Sequence, residues 1–537
     1  MDRTYTPLAL RDISAQNVAK YIVDGTYQNI DRRLPPQESD IVFGIVNIKR
    51  LRLPDQERER ADSIINRILQ PSVMHFNRYT TYASNFRLAR NHDLERFGIG
   101  ILREPTSESA AEFLVQQPPK RPKLSIEQPV DIIELLRENL TLNTQQSLEE
   151  LDLSNYYQSS RSVHFVEGWI LSLAQHFPSL KSLKVASTNI GYVEFNSICA
   201  NFRHLNTLDL SDALLFNLDG ISNLQLLENL ALRSTVLSDE AMNELYGLQN
   251  LKTFILSGTT RRSSIWQTLR SFIDSNKTLP ALQEFDCSQT EINNRDIKKI
   301  EKRHPTLKRI IATGTHINGY SSDISNLKVY TDESFPACLH SLSFYEERCH
   351  YVRIRYVLEK MIDLLKEAPA EQVKEEQLKR VNKELHLMIP KFGDYSDILY
   401  YIERCCHHLS QDGHIRHFNN DDKRILIESF LRLLEVKKSN WPYEELNSLT
   451  WSFMERVLEM TENPQVERIV AVAIYFFLKF PEGSKCYHTI TWLLQQQCYK
   501  DNDKEKRISE IEKYQKKFPE KKEEAEFLIY FFKTLNK

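Results

Sequence analysis

The chain of 537 residues is 41% hydrophobic and 27% charged, which is ordinary for a globular protein of roughly two to four domains. Its formal net charge of -3 gives no general attraction to nucleic acid or to an anionic membrane, so we expect neither as a partner. No secretory signal, no apolar run of roughly 18 residues and no disulfide framework among the eight cysteines is visible, so we expect a cytoplasmic or nuclear protein with reduced thiols.

The segment "TPLALRDISAQNVAKYI", from Thr6 to Ile22, predicts an amphipathic helix near the start of the chain. Leu10, Ser14 and Val18 recur every four residues and therefore share one face of this helix. Two interpretations stay open. The helix caps the end of the following domain, or its stripe docks on a partner protein.

Seven segments in the middle of the chain share one pattern, with apolar residues at the first, fourth and sixth positions. Their starts lie 22 to 32 residues apart, which brackets the period of leucine-rich repeats. The pattern predicts one short strand per segment, with helices such as "DEAMNELYGL" between strands. We therefore predict an α/β leucine-rich-repeat horseshoe rather than an ordinary α/β domain. The segments start at Leu148, Leu180, Leu205, Leu227, Leu251, Leu282 and Leu307.

Five of these repeats carry a threonine eight positions after the first apolar residue, and its hydroxyl is expected to bond to the backbone of the turn. Residues between the core positions, among them Asp152, Asp209 and Asp286, are expected on the concave face, which in solenoids usually binds protein. The line "IKRLRLPD" at Ile48 is interpreted as a further, degenerate repeat.

From about Ser334 the apolar residues recur with a period of 3.6, and glycine becomes scarce. Prolines divide this part into predicted helices, the longest of which covers residues 338–367. The series predicts an all-α solenoid of armadillo type, with a compact helical bundle as the alternative.

The sequence contains no arrangement that indicates catalysis or a cofactor. Adjacent Cys405 and Cys406 point about 100° apart on a helix and do not converge on a metal. We expect surface histidines beside one buried cysteine there. Cys498, followed by Asp501, is the nearest match to a cysteine-dependent ubiquitin ligase, but no activating base accompanies it. We expect no enzyme activity, no metal and no cofactor.

The junction after the last repeat reads "RIIATGTHINGY", then "NLKVYTDE", then "FYEERCHYVRIRYVLEKM". With the domain order, it resembles the Zyg-eleven and Zer-one family of substrate receptors for cullin-2 RING ubiquitin ligases. Tyr345, Glu347, Arg348, Val352 and Arg353 match the first armadillo helix of that family. The resemblance implies a non-catalytic substrate-recognition subunit. A ligase-independent protein-interaction scaffold is the alternative.

The resemblance also implies partners. Family members bind elongin C, which carries elongin B, through a leucine, a cysteine four residues later and an aliphatic residue four after that. Leu10, Ser14 and Val18 occupy these positions, with serine in place of cysteine. The cullin 2 box is matched by Leu34, Pro35 and Pro36, but Glu38 or Ser39 stands where its second apolar residue belongs.

These interpretations give three predicted regions. Residues 1–45 hold the adaptor-binding helices, residues 46–325 the leucine-rich repeats, clear from residue 148, and residues 334–537 the armadillo-like domain. An unidentified protein substrate is expected in a groove after Asp394 rather than on the concave strands. Tyrosines are frequent contact residues in such grooves, and the candidates are Tyr395, Tyr400 and Tyr401, close to His407 and His408.

Overall fold

The structure, a computed structural model, divides the chain into two compact units, Met1–Thr331 and Asp332–Lys537. No helix among the described residues has the length and apolar character needed to cross a bilayer. The described residues are 7–51, 53–76, 80–81, 83–99, 101–102, 129–154, 164–258, 265–322, 326–348, 351–367, 374–392, 395–437, 451, 454, 456–458, 468–470, 472–474, 504–517 and 522–534.

Three helices open the first unit, and they pack against one another. They are α1 (Pro7–Val23), α2 (Pro36–Arg50) and α3 (Asp55–Ile68). The proposal of a repeat at Ile48 is wrong, because Ile48 lies in the last turn of α2 and not in a strand. Arg50 ends α2, and Leu51 and Leu53 lie in the short connection to α3.

A buried ion pair joins α2 to α3. Arg50 is 1% exposed, its Nη2 donates to Oδ2 of Asp62 at 2.8 Å, and its Nε donates to the other carboxylate oxygen. Asn47, one turn earlier, donates from Nδ2 to the carbonyl oxygen of His75 at 3.3 Å. The helices are therefore tied to each other and to the first strand of the following sheet.

Ten short strands form one parallel sheet in the order β1-β3-β5-β6-β7-β8-β9-β10-β11-β12, and β2 pairs separately with β4. Apolar residues such as Leu151, Leu183 and Leu208 pair in register at the strand centres and are buried. The strands are β1 (Val73–His75), β2 (Thr80–Thr81), β3 (Arg96–Gly98), β4 (Ile101–Leu102), β5 (Glu150–Asp152), β6 (Ser182–Lys184), β7 (Thr207–Asp209), β8 (Asn229–Ala231), β9 (Thr253–Ile255), β10 (Glu284–Asp286), β11 (Arg309–Ile311) and β12 (Lys328–Tyr330).

Helices follow most of these strands, so the predicted alternation of strand and helix is present. Two 3-10 segments, Ala83–Asn91 and Ile221–Asn223, take the place of helices. The helices are α4 (Ile132–Asn139), α5 (Leu142–Ser147), α6 (Trp169–His176), α7 (Tyr192–Asn201), α8 (Asp239–Leu245), α9 (Ile265–Asp274) and α10 (Asn294–Arg303).

The sheet begins before the repeats that the sequence makes clear. The strands β1 and β3 precede Leu148, and β12 follows the last predicted segment. The segment "LERFGI", from Leu94 to Ile99, has the full apolar pattern around β3. At β1, Pro71 occupies the first position of the pattern, where the other repeats have an apolar side chain such as leucine, so the sequence did not indicate this strand.

The turn threonines act as predicted. The hydroxyls of Thr188, Thr290 and Thr315 donate to the carbonyl oxygen three residues earlier at 2.6, 2.6 and 2.7 Å. Thr235 donates instead to Leu210 of the preceding repeat at 3.2 Å. Thr259 lies outside the described residues. The residue before each of the four described threonines has a φ between 56° and 72°, so the hydroxyl stabilises a left-handed turn.

The second unit is helical in its described part. Its helices are α11 (Phe335–Glu347), α12 (Tyr351–Glu367), α13 (Glu375–Lys391), α14 (Ser396–Leu409), α15 (Asp412–Ile415), α16 (Asn420–Lys437), α17 (Lys504–Lys517) and α18 (Lys522–Thr534). The single helix predicted over residues 338–367 is wrong, since the chain leaves the helical conformation at Arg348. The guanidinium of Arg348 lies 3.8 Å from the ring centre of Phe344, and no proline or glycine marks the break.

We expect Asp62→Asn to lower the free energy of unfolding by about 3 kcal/mol, because it removes the carboxylate charge that pairs with the buried guanidinium of Arg50. The matched control is Asp55→Asn, which breaks the ion pair of Asp55 with Arg58 within α3; the Asp55 side chain is 86% exposed. Urea unfolding followed by circular dichroism compares the two variants. Equal midpoints for both would contradict a stabilising role of the buried pair.

Candidate protein-interaction surfaces

The first candidate surface lies on α1. Ala15, Ala19 and Ile22 are buried in the core of the first unit, whereas Ser14 is exposed and Val18 is half-buried. The backbone of Leu10 belongs to α1, and its side chain lies outside the described ones. One face of the helix is therefore engaged inside the protein, while Ser14 on the neighbouring line faces solvent and Val18 packs partly against the core.

The connection from α1 to α2 carries the second set of predicted contacts. Leu34 is half-buried and its amide donates to the carbonyl oxygen of Ile68 at 2.8 Å, while Pro35 and Pro36 are exposed at the start of α2. The buried Ser39 donates to the carbonyl oxygen of Leu34 at 3.1 Å and accepts from the amide of Gln70 at 2.9 Å. Serine at this position therefore holds the segment in place.

The third surface is the open face of the parallel sheet, which we call the strand face. It consists of the first and third residues of each strand of the ladder. Sequence analysis missed its first row, although strict alternation around each central apolar residue was a signal for it. The first row is Val73, Arg96, Glu150, Ser182, Thr207, Asn229, Thr253, Glu284, Arg309 and Lys328.

Charges of opposite sign alternate across neighbouring strands of the strand face. The Nζ of Lys184 lies 2.5 Å from Oε1 of Glu150, and the Nε of Arg309 lies 2.5 Å from Oε2 of Glu284. Burial raises the pKa of Asp152 to about 6, although the ammonium of Lys184 acts in the opposite direction. Acidic and basic side chains of the strand face therefore pair with one another, and the face does not carry charge of a single sign.

The aspartates predicted on this face also have a structural role. The Oδ1 atoms of Asp152, Asp209 and Asp286 each accept the backbone amide two residues later at 2.9 Å. Asp152 and Asp286 are buried. These carboxylates close the turn after the strand, so their replacement would disturb the repeat itself.

The predicted substrate residues lie on or next to α14. The rings of Tyr400 and Tyr401 are half-buried, with centres 5.2 Å apart, and the guanidiniums of Arg404 and Arg355 lie 5.6 and 5.5 Å from them, respectively. Tyr395 precedes the helix, and its ring centre lies 6.1 Å from that of Phe392. All three predicted tyrosines are therefore half-buried, and Tyr400 and Tyr401 form a pair on α14.

A cleft of about 540 Å³ opens further along the same helix. His407 and His408 line it, but its described lining does not include the three predicted tyrosines. Every titratable side chain in that described lining is basic, and burial lowers the pKa of His407 to about 4. The cleft therefore favours a neutral hydrogen-bonding or anionic group. Its lining is Leu365, Lys366, His407, His408, Gln411, Gly413, His414 and Arg456.

The cysteines of α14 differ from the expectation of one buried residue. Cys405 and Cys406 are both fully buried, and His407 and His408 are half-buried. The sulfur of Cys405 lies 3.7 Å from the carbonyl oxygen of Leu358 in α12, so α14 packs on more than one side. Burial raises the pKa of both thiols. Cys498 and Asp501 lie outside the described residues.

These features define a repeat protein with a parallel strand–helix ladder of leucine-rich type and a separate helical unit. No family model matches the chain. Over 358 residues, 66% of its length, it is 26% identical to Gastrulation-defective protein 3 of Caenorhabditis elegans, and the match covers 47% of that protein. The chain thus spans about half the length of this curated relative. The crystal structure of a TLR13–ssRNA13 complex matches 49% of this chain and 41% of its own, with 16% identity and a TM-score of 0.25.

Proposed function

We propose that the chain is a non-catalytic substrate-recognition subunit of a cullin-2–elongin BC RING ubiquitin ligase, acting in the cytoplasm or nucleus. The observation that carries the proposal is the division of α1 into two faces. Ala15, Ala19 and Ile22 attach the helix to the body, whereas Ser14 on the neighbouring line is exposed and available to an adaptor. Val18 is half-buried and packs partly against the same core. A helix held in this way is already in its binding conformation and loses little entropy on docking.

In this proposal Leu10 is the anchor that enters an apolar pocket of elongin C. Ser14 is exposed in the free protein, so the cost of burying its hydroxyl arises only on docking and is offset if elongin C offers a hydrogen-bond partner. Cullin 2 would contact the start of α2, where Pro35 and Pro36 are exposed and Leu34 is half-buried. Other subunits of the ligase would transfer ubiquitin to the substrate.

We also propose that residues 334–537 form an armadillo-like solenoid. In solenoids, equivalent helices of successive repeats stack, so helices two apart in the chain pack together. Among the described helices, α12 packs on α14, and α14 packs on α16. This arrangement supports the solenoid over a bundle in which only consecutive helices are neighbours.

The alternative is a ligase-independent interaction scaffold with the same two units. Ser14 in place of the cysteine of the family favours it. So does Ser39, which is buried and hydrogen-bonded inside the protein where the cullin box has an apolar residue. In this alternative α1 only caps the first unit.

We expect purified full-length protein to bind purified elongin B–elongin C, and Leu10→Ala to weaken that binding about tenfold or more, since a buried leucine contributes roughly 1.5–3 kcal/mol. Leu142→Ala is the matched control, because Leu142 is 78% exposed in α5 of the same unit. Isothermal titration calorimetry measures the affinity. Ser14→Cys should bind at least as tightly as the natural sequence. Absence of binding by both the natural sequence and Ser14→Cys would favour the scaffold.

We expect Tyr400→Ala with Tyr401→Ala to abolish capture of substrates while elongin binding is retained, because the pair is the accessible aromatic part of α14. The matched control is Tyr530→Ala, which removes a 67% exposed tyrosine from α18. A protein counts as a substrate if it meets two criteria. It accumulates when the chain is depleted from cells, and the tagged chain captures it from cells in which the ligase is inhibited. Capture that survives the double change but fails on Lys184→Ala would place the substrate on the strand face instead.

A further inference from the structure

A group of exposed apolar side chains lies beyond the carboxyl ends of the strands β6 and β7, at the start of α7 and in the loop that follows β7. Val193, Leu214 and Phe216 are 70, 72 and 77% exposed, and Tyr192 is 51% exposed. We call these four residues the apolar edge. Large apolar side chains grouped in this way on a protein surface commonly mark an interaction site.

The register of the ladder brings the two loops together. Ser187 donates its amide to the carbonyl oxygen of Ser211 at 2.8 Å and its hydroxyl to Oδ2 of Asp212 at 2.8 Å. These bonds join the loop that leads to Tyr192 and Val193 to the loop that carries Leu214 and Phe216. Toward the next repeat, the carbonyl oxygen of Phe216 accepts a hydrogen bond from the amide of Ser238 at 3.0 Å.

The loop that carries Leu214 and Phe216 is firmly anchored. Leu215, between them, is 3% exposed, and Leu218 is fully buried. The amide of Asp212 donates to the carbonyl oxygen of Arg233 at 2.7 Å. The two exposed side chains are thus presented by a fixed backbone, and their exposure does not come from a loop that fails to pack.

The surroundings of the apolar edge are acidic. Residues 187–244 contain eight Asp and Glu against two Arg and no Lys, a formal charge of -6 in a chain whose total is -3. Asp219, Asp239 and Glu240 are exposed on the same loops or at the start of α8. A partner with basic side chains around its apolar contacts would be attracted, and an acidic one repelled.

We propose that the apolar edge is a docking surface for a basic amphipathic segment of another protein. Apolar side chains of that segment contact Leu214 and Phe216, and its flanking Lys or Arg side chains face the acidic loops. The surface shares no residue with α1 or α14 and does not depend on the proposed ligase function.

The test uses full-length protein and a fluorescein-labelled helical peptide with leucine on one face and lysine on the others. The comparison peptide has glutamate in place of every lysine. We expect the lysine peptide to bind in fluorescence anisotropy below about 100 μM protein, and to bind at least about tenfold more tightly than the glutamate peptide. Raising NaCl from about 50 to about 300 mM should weaken that binding.

Leu214→Ser with Phe216→Ser should weaken binding of the lysine peptide at least about tenfold, without loss of fold because both side chains are exposed. Leu142→Ser with Leu171→Ser removes two other exposed leucines of the same unit and should leave binding unchanged. Asp219→Lys with Glu240→Lys should weaken binding and reduce its dependence on salt.

Four results would overturn the proposal, and the first three concern peptide binding. They are no binding of the lysine peptide, equal binding by the Leu214/Phe216 variant, and equal binding of the lysine and glutamate peptides. A dimer of the natural chain in light scattering that disappears in the Leu214/Phe216 variant would assign the surface to a second copy of this chain, and would also overturn it.

Discussion

The parallel ladder needs a covered first edge, and the rest of the first unit follows from that need. An uncovered edge strand exposes a row of unpaired amide and carbonyl groups that invites pairing with other chains. At β1, helix α2 packs against the edge, and Asn47 bonds to the carbonyl oxygen of His75. The buried pair of Arg50 and Asp62 then fixes α2 on α3.

The capping requirement also explains the form of α1. Small residues, Ala15 and Ala19, with Ile22 let the helix pack on α2 and α3. A helix that caps with one face keeps the other free, so capping and adaptor docking are compatible roles for the same seventeen residues. The proposed ligase function adds a partner on the line of α1 where Ser14 is exposed.

Much of the fold could be predicted because every strand of a leucine-rich repeat carries the same spacing of apolar residues. The missed strands show the limit. At β3, "LERFGI" has the full apolar pattern. At β1, Pro71 stands at the first apolar position, so the sequence pattern does not indicate the strand, which is recognised only from the structure. The false repeat at Ile48 had leucines at plausible spacing inside a helix, and the break at Arg348 has neither proline nor glycine.

The candidate sites were less predictable, because side-chain burial depends on contacts distant in sequence. Periodicity gave the line of Leu10, Ser14 and Val18, but not which neighbouring face the core would occupy. In "ALLFNL", composition does not tell that Leu215 is buried while Leu214 and Phe216 are exposed. The three repeated aspartates looked like surface residues and instead close turns.

Hydrogen exchange of the full-length protein, with and without purified elongin B–elongin C, tests the proposed docking of elongin C on α1 most directly. We expect the complex to slow exchange of amides in α1, while those of the strands β5 to β11 are unchanged, because binding stabilises the contacted helix against local opening. Unchanged exchange in α1 at saturating elongin B–elongin C, or protection confined to residues after Asp332, would contradict it.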